Sequence, residues 1–276
     1  MPELPEVETI VRDLAPHLTN ARLRNPFLYK TDVLRGISAR RFLERIRNAR
    51  VMDVRRRAKH VVMHLDNEQR VVIQLRMTGN LLLKEERLRA VDRQYLVFRV
   101  GIGKGRTLVY RDIRRLGTIS LLNERQWRTY TARIGPEPLS EEFDGRLLHD
   151  ILQSTRQAVK RALMDQRLVA GIGNIYANEV LFLAGIDPSR PANRLTREEA
   201  NGLCWQVQDV LTRAIKAKGT TLRDYRTGTG ESGSFQLALF AYGRGNEPCY
   251  ACGTRMVTTH EIDGRATTFC WRCQGN

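Results

Sequence analysis

The residues best suited to chemistry open the chain, in the run Met1-Pro2-Glu3-Leu4-Pro5-Glu6. If Met1 is trimmed, Pro2 becomes a free secondary amine, which can attack an aldehyde-like carbon and form a cationic iminium that acts as an electron sink. Glu3 and Glu6 are carboxylates beside that amine, and the group could form a catalytic centre. A simpler interpretation also fits, in which Pro5 begins a helix and Glu6 complements its dipole.

Four cysteines near the end of the chain have the spacing of a zinc ribbon, Cys249-x2-Cys252-x17-Cys270-x2-Cys273. Each close pair offers two soft ligands from a tight turn, and the spacer has the length of a β-hairpin. We predict one structural Zn²⁺, because four thiolates leave no open position for water. The fifth cysteine, Cys204, lies on an apolar helical stripe and is predicted to pack in the core.

The composition points to a polyanionic partner. Forty-six Lys and Arg against thirty Asp and Glu give a formal charge of +16 over 276 residues, which suits nucleic acid or an acidic membrane surface. Nucleic acid is favoured, because no apolar stretch approaches the roughly 20 residues that span a bilayer. The acidic start also lacks the features of a signal peptide. We therefore expect a cytoplasmic, nucleoid-associated protein that is neither secreted nor membrane-bound.

The pattern of the chain predicts an α+β protein with more than one domain. Short β-rich runs separated by polar turns from about residue 22 to 122 indicate an antiparallel β-domain. The segment from Ile134 to Pro138 has the proline content of a stiff connector. Beyond it the apolar spacing becomes helical, and Thr196 starts a capping box. We predict a β-domain at 1–133, a linker at 134–139, a helical domain at 140–245 and a zinc finger at 246–276.

Three further segments have open interpretations from the residues alone. Gly171-Ile172-Gly173-Asn174 indicates a helix start, where backbone N–H groups can bind phosphate. The basic run that ends in Lys59 is either a solvated edge or a nucleic-acid contact. Met77 is an apolar residue that would more often belong to a core. The glycine-rich run 101–105 has turn composition and is not interpreted as a phosphate loop.

Several segments together resemble the formamidopyrimidine-DNA glycosylase family. They begin with the opening PELPEVET and continue in family order with Arg56-Arg57-Ala58-Lys59, Leu75-Arg76-Met77-Thr78-Gly79, Asp112-Ile113-Arg114-Arg115-Leu116-Gly117, the run GIGNIYANE at 171–179, and Tyr242-Gly243-Arg244 before the cysteines. The resemblance covers nearly the whole chain. It implies a bifunctional DNA glycosylase and abasic-site (AP) lyase of base-excision repair that removes oxidised purines and cleaves the strand by β- and δ-elimination.

The resemblance also implies a fold and partners. The fold is an N-terminal antiparallel β-sandwich with flanking helices, followed by a helical domain with a helix–two-turn–helix and a zinc-ribbon hairpin. A loop at about 226–236 has the length of the family's purine-recognition lid. The implied partner is damaged double-stranded DNA, bound by a monomer that needs no cofactor besides the one zinc ion.

Roles for individual residues follow from the same resemblance. Pro2 is the nucleophile, Glu3 carries protons at the sugar, Glu6 helps to position the site, and Lys59 binds phosphate beside them. The wedge, which fills the gap left by the extruded nucleotide, consists of Met77, Arg114 and Leu116. Asn174 contacts the DNA backbone and Arg265 a phosphate at the lesion, and Arg115 and Tyr242 are further implied DNA contacts.

The sequence departs from the family pattern near the wedge. Leu116 stands where phenylalanine is usual, Ile113 where proline is usual, and Gln74 where a phosphate-binding histidine is usual. These positions bear on the preferred opposite base and on how the wedge inserts. Two alternatives therefore stay open: an endonuclease VIII-type glycosylase for oxidised pyrimidines, and a zinc-dependent DNA-binding protein without catalysis.

Overall fold

The computed structural model describes residues 2–85 and 87–275. The chain forms two compact units. Unit 1 consists of Met1–Ala132 and Ala217–Gln236, and unit 2 of Arg133–Lys216 and Leu237–Asn276. Within the described ranges, no helix has both the length and the apolar character required to cross a membrane.

Unit 1 contains two β-sheets. Its strands are β1 (Arg24–Leu28), β2 (Leu34–Arg35), β3 (Val51–Arg57), β4 (His60–Leu65), β5 (Arg70–Gln74), β6 (Gly79–Glu85), β7 (Leu96–Gly103), β8 (Arg106–Asp112) and β9 (Thr118–Leu122). One sheet has the order β1-β7-β8-β6 and the other β2-β9-β5-β4-β3. The pairs are antiparallel except that β2 runs parallel to β9.

The two sheets and two helices share one apolar core. Val100 and Leu108 from the first sheet, and Val61 and Ile73 from the second, are fully or almost fully buried in it. Each of these four strands contains β-branched residues, whose side chains pack well on a pleated surface. Unit 1 is therefore a β-sandwich with flanking helices, as the sequence predicted.

The helices of unit 1 are α1 (Leu4–Leu18), α2 (Ala39–Ile46), α3 (Ala90–Arg93) and α4 (Glu124–Thr131). In α1, Val7, Ile10 and Leu14 recur on one face and are fully buried, so this face fixes the helix on the sandwich. The helix contains Pro16 and continues past it to Leu18. Pro16 lies in the last turn and on the exposed side; because it has no N–H, the helix lacks the hydrogen bond to the Arg12 carbonyl at this point.

Unit 2 is helical and ends in a small hairpin. Its helices are α5 (Gly145–Gln153), α6 (Val159–Met164), α7 (Asn174–Leu183), α8 (Arg197–Lys216) and α9 (Trp271–Gln274), and its strands are β10 (Val257–Thr259) and β11 (Thr267–Phe269). Short 3-10 turns cover Ala192–Arg194 in unit 2 and Phe235–Ala238, where the chain passes from unit 1 into unit 2.

The ends and packing of α8 agree with the sequence. Thr196 and Glu199 form the expected capping box, with Thr196 N donating to Glu199 Oε2 at 2.8 Å and Glu199 N donating to Thr196 Oγ1 at 3.2 Å. Cys204 is buried on the apolar face of this helix, and burial raises the pKa of its thiol to about 11. The predicted packing role of Cys204 is confirmed, and the raised pKa keeps it an unreactive thiol.

The segment 217–236 belongs to unit 1, although it lies within the helical domain predicted at 140–245. Tyr225 is buried in the sandwich core, Leu83 N donates to Gly228 O at 2.8 Å, and Arg226 N donates to Asn80 Oδ1 at 3.1 Å. The chain therefore returns to the first unit after α8, and only then continues to the hairpin.

The segment 134–139, which the sequence suggested as a linker, packs on unit 2. Gly135 N donates to Gln166 O at 2.8 Å, and Ala170 N donates to Pro136 O at 3.0 Å. A side chain at Gly135 would lie 2.6 Å from the backbone of Leu168, so glycine permits this close approach.

Candidate active site and nucleic-acid interface

The start of α1 holds the proposed catalytic residues in a buried setting. Pro2 is buried, and Glu3 and Glu6 are 2% and 1% exposed. Glu3 is the N-cap with an extended backbone, and it forms a reciprocal capping box with Glu6, in which Glu3 N donates to Glu6 Oε2 at 2.8 Å. The two carboxylates thus fix each other's position at the helix N-terminus, whose dipole favours negative charge. Met1 lies outside the described residues.

The second oxygen of Glu6 connects α1 to the segment 217–236. Thr220 N donates to Glu6 Oε1 at 2.7 Å. Gly219 has φ +82°, and a Cβ there would lie 2.8 Å from the same oxygen, so this turn needs glycine for both reasons. Tyr225 supports the turn by donating from its hydroxyl to Lys218 O at 3.0 Å. Burial raises the pKa of Tyr225, which keeps the hydroxyl protonated as a donor.

Lys59 lies in the tight turn between β3 and β4, and only 8% of it is exposed. Ala58 before it has φ +51°. Arg56, three residues earlier, donates from Nε to Glu8 Oε2 on α1 at 2.9 Å, which fixes β3 against that helix. After the turn, His60 Nε2 lies 2.8 Å from the Tyr130 hydroxyl. The turn that carries Lys59 is therefore held from both sides.

The predicted wedge residues lie on two neighbouring loops and are exposed. Met77 and Leu116 are 46% and 50% exposed, and Ile113 is 47% exposed. Arg114 Nη1 lies 4.0 Å from Met77 Sδ, so the structure brings these two side chains together. Arg115 instead forms an ion pair with Asp32 at 3.0 Å. Large apolar side chains at exposed loop tips suit insertion into a base stack.

A buried carboxylate, Asp112, ties the two wedge loops together. Its Oδ1 accepts from the Thr78 hydroxyl at 2.6 Å, and its Oδ2 accepts from the Tyr110 hydroxyl at 3.0 Å and from Gly117 N at 2.8 Å. Thr78 Oγ1 in turn accepts from Arg114 N at 3.0 Å. Both loops that bear the wedge therefore depend on one side chain that is 2% exposed.

In unit 2, Asn174 and Arg265 are brought close by a hydrogen bond. Asn174 begins α7 after Gly173, as the sequence predicted, and its Nδ2 donates to Ala266 O at 3.0 Å. Its buried Oδ1 has no hydrogen-bond partner among the described residues. Arg265 precedes Ala266 in the hairpin and is exposed. A helix N-terminus beside an exposed guanidinium favours an anion such as phosphate.

Buried polar side chains of α6 and α7 hold the hairpin and the segment that leads to it. Lys160 Nζ donates to Thr267 Oγ1 at 2.7 Å, and Asn178 Oδ1 accepts from Thr268 N at 2.7 Å. Glu179 accepts from three consecutive backbone N–H groups, those of Phe240, Ala241 and Tyr242, at 2.7 to 3.0 Å. Burial raises the pKa of Glu179, and these donors oppose the rise. Tyr242 and Arg265 are thus positioned by the same helix.

Cys249, Cys252, Cys270 and Cys273 converge in unit 2. Their four Sγ atoms all lie within 4.8 Å of one another, and Cys249 and Cys273 are 3.9 Å apart while Cys252 and Cys270 are 3.5 Å apart. A tetrahedral ion with metal–sulfur bonds of about 2.3 Å requires sulfur atoms about 3.8 Å apart. The four cysteines are therefore positioned to hold one metal ion, with hairpin strands β10 and β11 between the two pairs.

Two family models match the chain. Residues 1–119 match the formamidopyrimidine-DNA glycosylase N-terminal domain, and residues 134–226 match the formamidopyrimidine-DNA glycosylase H2TH domain. Among curated relatives, the formamidopyrimidine-DNA glycosylase of Desulfitobacterium hafniense is 39% identical over 99% of this chain and its own full length. That of Thermomicrobium roseum is 42% identical over 99% of each chain. The chain belongs to the formamidopyrimidine-DNA glycosylase family.

Solved structures of this family are similar over the whole chain. A Lactococcus lactis Fpg variant, T221P in that protein's own numbering, in complex with Fapy-dG-containing DNA has a TM-score of 0.92 and 31% identity over 100% of both chains. The Lactococcus lactis Fpg in complex with DNA containing an abasic site has a TM-score of 0.91 and 30% identity, covering 99% of this chain and 100% of that one. The fold expected from the resemblance is confirmed.

The structure groups the sequence-predicted residues by unit. Unit 1 carries the Pro2 group, Lys59 and the wedge, and unit 2 carries the cysteine site and the Asn174 group. No role was predicted from the sequence for Asp112, Lys160 or Glu179. A charged residue inside an otherwise apolar run, such as Glu179 in α7, is the signal that could have indicated a buried anchor.

Proposed function

We propose that this protein is a DNA glycosylase and AP lyase of base-excision repair that removes oxidised purines from double-stranded DNA. One observation carries the proposal: in a chain of this family, Pro2 lies buried at the head of α1 beside two carboxylates that fix each other. The Lactococcus lactis relatives in complex with Fapy-dG DNA and with abasic DNA support the substrate class.

The first step uses the Pro2 amine that removal of Met1 would free. Its nitrogen attacks C1′ of the damaged nucleotide, the bond from C1′ to the base breaks, and the base leaves with the electron pair and takes a proton from water. The amine proton passes to Glu3, which returns a proton to O4′ as the sugar ring opens. Carbon C1′ and the proline nitrogen are then joined as an iminium.

The iminium drives cleavage of the strand. It draws electrons from the sugar, so a proton leaves C2′ and the C3′–O bond breaks, which releases the 3′ phosphate. Loss of a second proton, from C4′, breaks the C5′–O bond and releases the 5′ phosphate. Water then hydrolyses the iminium and frees Pro2. The product is a one-nucleotide gap with phosphate ends. Glu6 holds Glu3 and the 217–236 turn in place throughout.

The damaged nucleotide must leave the helix before this chemistry, because C1′ and the base cannot be reached inside a stacked duplex. We assign Met77, Arg114 and Leu116 to the gap that it leaves, since they are exposed on loops that Asp112 holds. Lys59, Asn174, Tyr242 and Arg265 bind phosphates. We assign the loop at 226–236 to recognition of the base; its attachment to α1, where Thr229 N donates to Asp13 Oδ2 at 3.4 Å, supports that role.

The four-cysteine site fits Zn²⁺ best, because soft thiolates in tetrahedral array are its preferred structural ligands. A bound zinc ion supplies a rigid link between the two cysteine pairs, and the Arg265 hairpin between them is thereby fixed. We further propose that one chain acts as a monomer, in the bacterial cytoplasm where the chromosome lies.

A panel of duplexes with one defined lesion tests the substrate class. We expect kcat/KM for 8-oxoguanine and formamidopyrimidine to exceed that for an oxidised pyrimidine by about tenfold or more, a difference of about 1.4 kcal/mol in transition-state binding. Gln74, Ile113 and Leu116 depart from the family pattern near the wedge, so the panel also tests the opposite preference. A higher kcat/KM for the oxidised pyrimidine would show an endonuclease VIII-type enzyme instead.

A further inference from the structure

Unit 1 carries a basic groove of about 620 Å³ at the end of α1 that is remote from Pro2. Helix α1 has 15 residues, so a rise of 1.5 Å per residue places the groove about 22 Å from the catalytic helix start. Five cationic side chains from three parts of unit 1 line it, those of Arg22, Arg24, Arg50, Lys104 and Arg106, and the His17 imidazole lies among them.

Two turns with left-handed backbone conformations position several of these cations. Asn20, in the left-handed conformation at φ +66°, reverses the chain after α1, and a β-bridge then pairs Arg22 with Arg50. The β7–β8 hairpin turns through Lys104 and Gly105, both with positive φ, which is the geometry of a tight two-residue turn. That turn places Lys104 on the groove wall.

The groove has a surplus of positive charge. No carboxylate from the described residues lines it, and none of its five Lys and Arg residues forms an ion pair within the described ranges. Arg106 Nη1 donates to His17 Nδ1 at 2.8 Å, and Arg22 Nη1 donates to Asn48 O at 3.0 Å. The C-terminal end of α1 contributes about half a negative charge, which is too little to account for five cations.

An exposed aromatic pair continues the groove along the edge strand β1. Phe27 and Tyr29 are 49% and 42% exposed, and their rings meet edge to face with centroids 4.6 Å apart. In the register with β7, Arg24 is opposite Gly101 and Phe27 is opposite Arg99. Gly101 and Arg99 are two residues apart on one strand, so Arg24 and Phe27 lie on the same face, about 7 Å apart along it.

We propose that the groove and the aromatic pair together form a binding site for a single-stranded nucleic-acid segment, separate from the duplex processed at Pro2. Cations that follow a phosphate backbone beside exposed aromatic rings are the combination that single strands bind, because unpaired bases expose faces that can stack. Paired bases inside a duplex are stacked on each other and do not expose these faces. The site would allow the protein to hold a single strand while its catalytic residues engage a damaged duplex.

The test uses the full chain and two probes. The catalytic site is first saturated with a short duplex that contains a stable abasic analogue, and fluorescent dT12 is then titrated by anisotropy. The test variants are Arg22→Glu with Lys104→Glu, and separately Phe27→Ser. The matched control is Arg125→Glu with Arg197→Glu, which makes the same charge change at the exposed first turns of α4 and α8, where glutamate suits the helix dipole.

We expect the unmodified protein to bind dT12 in the presence of the duplex. The double charge reversal should weaken dT12 binding about tenfold or more and lower the salt slope by about 1.4, since single strands lose about 0.7 per phosphate contact. Phe27→Ser should weaken dT12 binding about fivefold or more, because stacking on this ring is lost. Cleavage of a separate short duplex with a natural abasic site should change less than twofold in both variants and in the control.

Three results would overturn the proposal. Complete displacement of dT12 by the abasic duplex would show that the strand binds only the catalytic site. Equal loss of dT12 binding in the charge reversal and in its control would show a general effect of net charge. An undamaged duplex that competes at this site as well as dT12, with no effect of Phe27→Ser, would show that duplex phosphates are the ligand.

Discussion

Replacing Asp112 tests whether one buried carboxylate holds the DNA wedge. Asp112 accepts three hydrogen bonds, from Thr78, Tyr110 and Gly117 N. In Asp112→Asn, the amide nitrogen can face the Thr78 hydroxyl, which can accept, and the remaining oxygen can still accept from the other two donors. Two hydrogen bonds to a charged group then become bonds to a neutral one, at a cost of roughly 1 kcal/mol each.

Asp112→Ala has a larger expected effect because all three donors lose their acceptor. Each buried unsatisfied group costs about 1–3 kcal/mol, so the free energy of unfolding should fall by about 4 kcal/mol or more. For a unit of this size, 1 kcal/mol shifts Tm by about 2–4 °C. We therefore expect Tm to fall by about 4–8 °C in Asp112→Asn and by at least about twice as much in Asp112→Ala. Thermal unfolding measures both shifts.

Asp112→Asn should lower activity by different factors in two assays. Excision of a damaged base needs the wedge, so it should fall about tenfold, whereas cleavage of a preformed abasic site should change less than threefold, because an abasic nucleotide is easier to extrude. The exposed Asp150→Asn is the control and should shift stability by less than about 0.5 kcal/mol. Equal loss in the two activity assays, or equal Tm shifts for the two Asp112 variants, would refute the role given to this carboxylate.

Three further predictions concern the other parts of the site. Glu3→Gln should lower base excision by about 10²-fold or more and cleavage of preformed abasic sites by less, which single-turnover assays on both substrates can show; equal losses would assign Glu3 a structural role. Cys249→Ser should reduce the metal content from one zinc per chain and weaken DNA binding, while the melting of unit 1 stays unchanged; full DNA affinity without metal would contradict the structural site. Lys59→Ala and Arg265→Ala should each lower the salt slope of DNA binding by about 0.9, whereas Asn174→Ala, which removes no charge, should weaken binding and leave the slope unchanged; a loss confined to one base identity would mean that these residues read bases.

Much of the fold could be predicted because local patterns agree with the tertiary structure. The apolar spacing of α1 places Val7, Ile10 and Leu14 in the core, and the cysteine spacing anticipates a cluster of four Sγ atoms. The capping box at Thr196 was visible as a short motif. In each case, the residues that specify the structure lie within a few turns or one hairpin of each other.

The parts that could not be predicted depend on contacts between distant segments. Nothing in the run 217–236 shows that Tyr225 fills the core of the first unit, or that Thr220 N binds Glu6, 214 positions away. The role of Asp112 likewise depends on Thr78, 34 residues earlier. Such contacts form only when the strands and loops meet. The sequence pattern therefore shows these residues but not which of them contact each other.

The most direct test of the central claim is covalent trapping at Pro2. Borohydride reduces an iminium between the protein and abasic DNA to a stable bond, and mass spectrometry of the digested complex locates the attached residue. We predict one DNA adduct on the N-terminal Pro2 peptide of the protein that lacks Met1, weaker trapping in Pro2→Gly, and none when an N-terminal extension blocks the amine. An adduct on an internal lysine, or full activity with the N-terminus blocked, would contradict the account.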